Sequence, residues 1–172
     1  MTNRRLPPCW LRGLLLAALS GFAALNLLAW HQAGCFLRYV EAGDRTAPPE
    51  HLQGLRKLGV LLTGVRMTRP RNTVAPAATT PPARVQRLAS GDGEIEVWWL
   101  DHPQPRGTVL ILPGYAEAKT DLLDDAYAWR ELGFSAGLVD FRGAGAASGA
   151  ELSLGYREAE DVQVAAAAWV AA

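Results

Sequence analysis

Cysteine is scarce in this chain. Cys9 and Cys35 are the whole complement, too few for a disulfide framework or a four-ligand zinc site. Histidine occurs only as His31, His51 and His102, and no group of ligating side chains has metal-binding spacing, so no metal is expected. Net charge is also missing: 17 basic residues balance 17 acidic ones. No global polycation is therefore available to hold nucleic-acid phosphates, and no nucleic-acid partner is expected. There is no G-K-[ST] and hence no phosphate loop of that type. What remains is a chain of 172 residues, about one domain in length. Its apolar fraction of 49% excludes wholesale disorder.

The balanced charge hides a division. Residues 1–90 carry 12 Arg or Lys and 3 Asp or Glu, whereas residues 91–172 carry 5 and 14. Such a split suggests regions facing different surroundings, and a basic half beside an apolar run points to anionic lipid as a partner. An ordinary solvated face gives the same counts. The apolar run is Gly13–Trp30, 18 residues without a charge. As a helix it would extend about 27 Å, close to a hydrocarbon core. Trp10 and Trp30 stand where amphipathic rings favour the headgroup region. A retained transmembrane anchor is the expectation; a cleaved signal peptide and a buried helix are the alternatives. Arg4, Arg5 and Arg12 precede the run and the first acid is Glu41. The amino terminus is therefore expected in the cytoplasm and the remainder outside it.

Beyond the anchor, Leu52, Leu55, Leu58, Leu61, Leu62 and Val65 recur at helical spacing. With Arg56, Lys57 and Arg66 this reads as an interfacial helix, or else as a helix packed on its own domain, which is slightly preferred. Residues 74–82, VAPAATTPP, have the composition of a linker. Strands are expected over Arg84–Ala89, Glu94–Leu100, Thr108–Leu112 and Phe134–Phe141, with helices over Asp121–Leu132 and Tyr156–Ala171. In the second strand Ile95, Val97 and Trp99 alternate with positions read as polar or exposed, which predicts one buried face. Thr108–Leu112 is continuously apolar, which predicts burial on both faces. The order β-β-β-α-β-α implies an α/β fold with parallel strands.

Two loops follow the carboxyl ends of the buried strands, where open α/β sheets bind ligands. One is Leu112-Pro113-Gly114-Tyr115-Ala116-Glu117, whose amides could donate to an anion or simply turn the chain. The other is Asp140-Phe141-Arg142-Gly143-Ala144-Gly145-Ala146-Ala147-Ser148-Gly149. It falls short of G-x-G-x-x-G because Ser148 holds the third glycine position, and the expected acid is not at the end of a following strand.

Strand, L-P-G-Y, helix, strand, D-F-R-G-A-G and Ala-rich helix together resemble the first part of an α/β-hydrolase sheet, in the serine-hydrolase branch. The resemblance covers about residues 84 to 172. Asp140, Arg142, Gly143 and Gly145 match the D-x-R-G-x-G-x-S element. Ala147 stands at its serine, and Pro113 replaces the histidine usual before Gly114. The resemblance implies a backbone oxyanion hole at Gly114 and Tyr115, with the Tyr115 N–H as donor, and a structural loop at Asp140, Arg142, Gly143 and Gly145. It implies no cofactor and no metal. It implies an ester or amide as the small-molecule substrate of the intact enzyme.

The family's nucleophile stands in a G-x-S-x-G elbow after the next strand, followed by an acid and a histidine. No serine here has that setting: Ser153 has Glu151 at the first glycine position, and Ser90 and Ser148 also fail. No catalytic residue is assigned. The expectation is an amino-terminal fragment of a membrane-anchored serine hydrolase, inactive by itself; the alternative is a non-catalytic membrane-tethered interaction module. The domain plan is a basic segment 1–12, an anchor 13–30, a juxtamembrane helical segment 31–73, a linker 74–83 and a partial α/β-hydrolase domain 84–172.

Overall fold

A computed structural model describes residues 8–170. Arg4 and Arg5, counted above for orientation, and Ala171, the expected end of the last helix, lie outside them. The chain forms two compact units, residues 8–35 with 47–65 and residues 36–46 with 66–170.

The first unit contains helix α1, Cys9–Leu37, most of which belongs to it. No residue of α1 is buried. Among the described residues it is the one helix long and apolar enough to cross a membrane, with a mean hydropathy of 1.8 over its best 18 residues. A signal sequence meets the same criterion. Asn26 spends its amide on the helix's own backbone, donating to Phe22 O at 2.8 Å, which removes the cost of an unpaired donor in an apolar span. The unit's second α-helix, α2, spans Leu55–Thr63. It is shorter than the leucine spacing predicts because Gly54 and Gly64, at φ 50° and 89°, break the helical backbone on either side.

The second unit begins with two short strands absent from the sequence expectation, β1 (Tyr39–Val40) and β2 (Met67–Thr68), which pair in parallel. Two residues of strand carry too little pattern to be read from sequence. The main sheet comprises β3 (Arg84–Ser90), β4 (Gly93–Leu100), β5 (Thr108–Ile111) and β6 (Ser135–Asp140) in the order β3-β4-β6-β5. Only β5 and β6 run parallel; β4 is antiparallel to both neighbours. The expected parallel arrangement is found for β5 with β6, and the expectation is corrected for β3 and β4. Gly91-Asp92 closes β3 onto β4 as a hairpin with Ser90 opposite Gly93, and a tight hairpin permits only antiparallel pairing.

Helix α3, Leu123–Glu131, is preceded by a 3₁₀ turn at Lys119–Leu122. It covers one face of the sheet, where Trp98, Leu100, Ala136 and Leu138 meet Leu123 and Ala126. Helix α4, Glu158–Val170, covers the other, where Ile95, Val97, Trp99 and Val139 meet Ala165. Strand β4 is thus buried on both faces, Glu96 and Trp98 included, and not on the single face predicted. Strand β5 departs the opposite way: all four residues are only half-buried, because it forms the sheet's outer edge among the described residues.

The two-layer covering makes β6 the centre of the core. Leu138→Ala, at a side chain with no exposed surface, is expected to cost about 2–5 kcal/mol in denaturant unfolding of the full chain in detergent micelles. A cost below about 1 kcal/mol would contradict a core packed on both faces.

Candidate functional site

The parallel pairing of β5 with β6 sets Thr108 opposite Ser135 and Ile111 opposite Leu138. The two strands therefore deliver their following loops to the same end of the sheet. Both loops line one cleft of about 510 Å³, with Leu112, Pro113, Gly114 and Tyr115 from the first and Phe141, Arg142 and Ala144 from the second. Tyr39, Glu117, Leu152, Leu154, Gly155, Glu158, Ala159 and Val162 complete its walls. The lining is mainly apolar, as small-molecule sites generally are.

The first loop is a tight turn whose amides are nearly all spent. Gly114 N donates to Glu117 Oε2 at 2.8 Å and Ala116 N donates to the Tyr39 hydroxyl at 3.0 Å. Ala116 holds φ at 61°, a left-handed conformation that costs an alanine on the order of 1 kcal/mol and survives only under outside support. Tyr39 supplies that support from a side chain 6% exposed. Burial pushes the Tyr39 phenol upward, against the hydrogen bond from Ala116, so the hydroxyl stays protonated. Among the described residues the Tyr115 N–H has no acceptor.

The second loop is held by Asp140, whose carboxylate has no exposed surface. Oδ1 accepts from Lys119 N at 3.0 Å; Oδ2 accepts from Asn72 Nδ2 at 2.8 Å, from Ala146 N at 2.9 Å and from the Lys119 ammonium. Gly145, at φ 49°, curls over this carboxylate so closely that a Cβ would collide with it. Gly143 N closes the turn onto Ser148 O at 2.7 Å. Ser148 accepts from Glu94 N at 2.7 Å and so ties the loop to the hairpin. Ala147 is buried.

Lys119 lies at the start of the 3₁₀ turn and is also fully buried. Its Nζ donates to Glu96 Oε1 at 2.9 Å as well as to Asp140, and sits 4.6 Å above the Trp98 ring. Burial pushes Glu96 upward, but donors from Lys119, Trp98 and Arg87 outweigh it and hold the carboxyl below its usual value. Removing one partner of such a cluster strands a buried charge, at roughly 3–5 kcal/mol.

Arg142 points away from the cleft's chemistry. Its Nη1 donates to Asp92 Oδ1 at 3.1 Å, its Nη2 to Glu160 Oε2 and Arg157 O, both at 3.0 Å. Nε lies 2.9 Å from Asp161 Oδ1 without aligning for a hydrogen bond, so that contact is a charge attraction alone. Burial disfavours the guanidinium's charge, yet Asp161, Glu160 and Asp92 together raise its affinity for the proton. The side chain thereby joins the hairpin, the second loop and α4.

Ser153 is equally committed. Its Oγ donates to Glu158 Oε2 at 2.5 Å and accepts from Arg157 N at 2.6 Å. Glu158 also accepts from Ser153 N and Gly155 N, both at 2.8 Å. Burial raises Glu158, but these donors prevail and lower it. The arrangement caps the start of α4. No histidine lines the cleft, and among the described residues no group of three or more His, Cys, Asp or Glu could hold a metal.

The cleft thus brings together Gly114, Tyr115 and Arg142, while Asp140, Gly143 and Gly145 build its second loop from behind. Tyr39, Glu96, Lys119 and Glu158 were not singled out from sequence. Glu96 carried one signal, a carboxylate flanked in a strand by Ile95, Val97 and two tryptophans. Asp161, which accepts from Ser90 Oγ at 2.5 Å and from Arg142 N at 3.3 Å, looks from sequence like an acid in the first turn of a helix.

No family model matches the chain. No curated protein matches it either. Among solved structures it is similar to the esterase Pf2001 of Pyrococcus furiosus in two crystal forms. In one, 17% of aligned residues are identical and the TM-score is 0.49, over 62% of this chain and 42% of that one. In the other the values are 18% and 0.44, over 61% and 42%. The chain therefore matches less than half the length of that esterase.

Glu96 and Glu158 are both held below their ordinary value of 4.5. A carboxyl depressed in the folded state contributes stability above its unfolded value and loses it as pH falls through the folded one. The denaturant midpoint should therefore hold steady from neutral pH down to about 5 and then fall. Glu158→Gln should lower the midpoint at neutral pH and make the acid decline shallower. An acid decline unchanged by Glu158→Gln would contradict the assignment.

Proposed function

We propose that residues 84–170 are the amino-terminal part of an α/β-hydrolase domain of the serine-hydrolase type, and that α1 anchors it in a membrane with the amino terminus cytoplasmic. The whole protein would cleave an ester or amide through a serine nucleophile and an acyl-enzyme. One observation carries the reading: the parallel pair β5–β6 brings the Gly114 turn and the Gly143–Gly145 turn to a single apolar cleft, with the Tyr115 N–H left unspent there. An amide fixed in that position would donate to the oxyanion of a tetrahedral intermediate. Such a donor is worth roughly 10²–10³ in kcat. Among the described residues strand β5 leaves one edge open, the edge on which the family resemblance sets the strand that leads to the nucleophile. The same open edge also favours the second reading, a tethered module that takes up a partner's strand.

These residues are not catalytic by themselves on this reading. Ser153 is locked into the α4 cap, and Ser90 into Asp161. The 172-residue chain should not react with a fluorophosphonate probe, and it should hydrolyse a nitrophenyl ester no faster than buffer. Covalent labelling of any of its serines would contradict the reading. The DNA downstream of the Ala172 codon should encode a strand and then a G-x-S-x-G elbow. A downstream sequence with neither would favour the tethered module.

A further inference from the structure

Helix α2 carries an exposed apolar stripe among the described residues of its unit. Leu55 is 85% exposed, Leu58 50% and Leu62 56%. At positions i, i+3 and i+7 they fall on one side of the helix. Its last turn meets α1. There Gln32 Nε2 donates to Val60 O at 3.0 Å and to Leu61 O, and Thr63 O lies 3.1 Å from His31 Nε2. Gln32 thus shares Val60 O with Gly64 N and reaches Leu61 O in the last turn of α2, where the helix runs out of its own donors. Gly64 completes the joint, because a Cβ there would strike the Cys35 sulfur.

The joint fixes the height of α2. It engages α1 at His31–Cys35, immediately after the apolar run that ends at Trp30. At about 1.5 Å per residue, that is within roughly 8 Å of the run's end. If α1 is seated in a bilayer, this is the headgroup and acyl boundary, where amphipathic helices bury their apolar faces. The charges agree. Arg56 and Lys57 follow Leu55 on the polar face of α2, and neither has a carboxylate partner among the described residues.

We propose that α2 is an interfacial foot that inserts Leu55, Leu58 and Leu62 into an anionic lipid surface, with Arg56 and Lys57 paired to lipid headgroups. The inference rests on the anchor reading of α1 but not on the hydrolase reading. A transmembrane helix alone leaves the chain that follows it free to swivel. A second contact at the boundary fixes how that chain leaves the membrane.

The full chain in vesicles of phosphatidylcholine and phosphatidylglycerol tests this in two ways. Nitroxide labels at Leu55→Cys, Leu58→Cys and Leu62→Cys, in a Cys9→Ser, Cys35→Ala background, should collide with oxygen and be shielded from a water-soluble nickel chelate. A label at Lys57→Cys should show the reverse. The unsubstituted chain, irradiated with a diazirine-bearing phospholipid, should carry the adduct on tryptic peptide 58–66. Labels on the leucines as open to nickel as that on Lys57→Cys, with no adduct on 58–66, would overturn the proposal. So would leucine labels shielded from both reagents, the mark of a second copy or another protein on the stripe. A label at Phe22→Cys separates the two readings: oxygen-accessible there with α2 in water removes the foot alone, and Phe22 in water removes the anchor as well.

Discussion

The structure of the second unit depends on an ammonium that water cannot reach. Lys119 Nζ, with no exposed surface, is shared between the Glu96 and Asp140 carboxylates. A charge so placed is tolerable only when its partners are ionised and fixed. Each partner belongs to a different element: Glu96 to the inner strand β4, Asp140 to the end of β6, and Lys119 to the chain after β5. Holding the charge therefore means holding those three segments in one arrangement. Asp140 then passes the constraint on, since the same carboxylate accepts the amides of Lys119 and Ala146. The two glycine loops are positioned by one side chain between them, and the cleft they form follows from that.

Around this centre the unit's other charges serve as ties. Arg142 binds the hairpin to α4 through Asp92 and Glu160. Arg84 pairs with Asp101, and Arg87 with Glu96. The Arg84 and Arg87 pairs join bases from the first half of the chain to acids from the second, which gives part of the charge division a physical meaning. The more exposed of them contribute little to stability; Arg142, largely buried, contributes geometry. Arg56 and Lys57 stand outside this pairing, on the polar face of α2.

Much of the main sheet was legible because its strands are punctuated. Ser90-Gly91-Asp92-Gly93 announces a hairpin, and Gly133, at φ 87°, ends α3 before β6. The antiparallel pairing of β4 with β6 was not legible, because alternation of strands and helices says nothing about where a leading hairpin attaches. Burial of Glu96 was not legible either. A carboxylate in an alternating strand looks like a solvent-facing residue until Lys119, 23 residues later, is brought beneath the sheet. The glycine loops could be read from sequence as turns. What positions them is Tyr39 and Asn72 from the chain before the sheet and Lys119 after β5, and such long-range partners leave no local periodicity. For α2 the leucine spacing gave a helix with two possible partners, lipid or the protein itself, and Leu55, Leu58 and Leu62 stand exposed on it.

The account stands most directly on native-state hydrogen exchange at two amides. Lys119 N–H and Ala146 N–H both donate to the Asp140 carboxylate, one from each side of the cleft. If the buried charge cluster locks both loops, these two amides exchange together and only with global unfolding, as slowly as the amides of β6. Fast exchange at either one, with β6 still protected, would mean that the loops open independently of the core and would contradict the account.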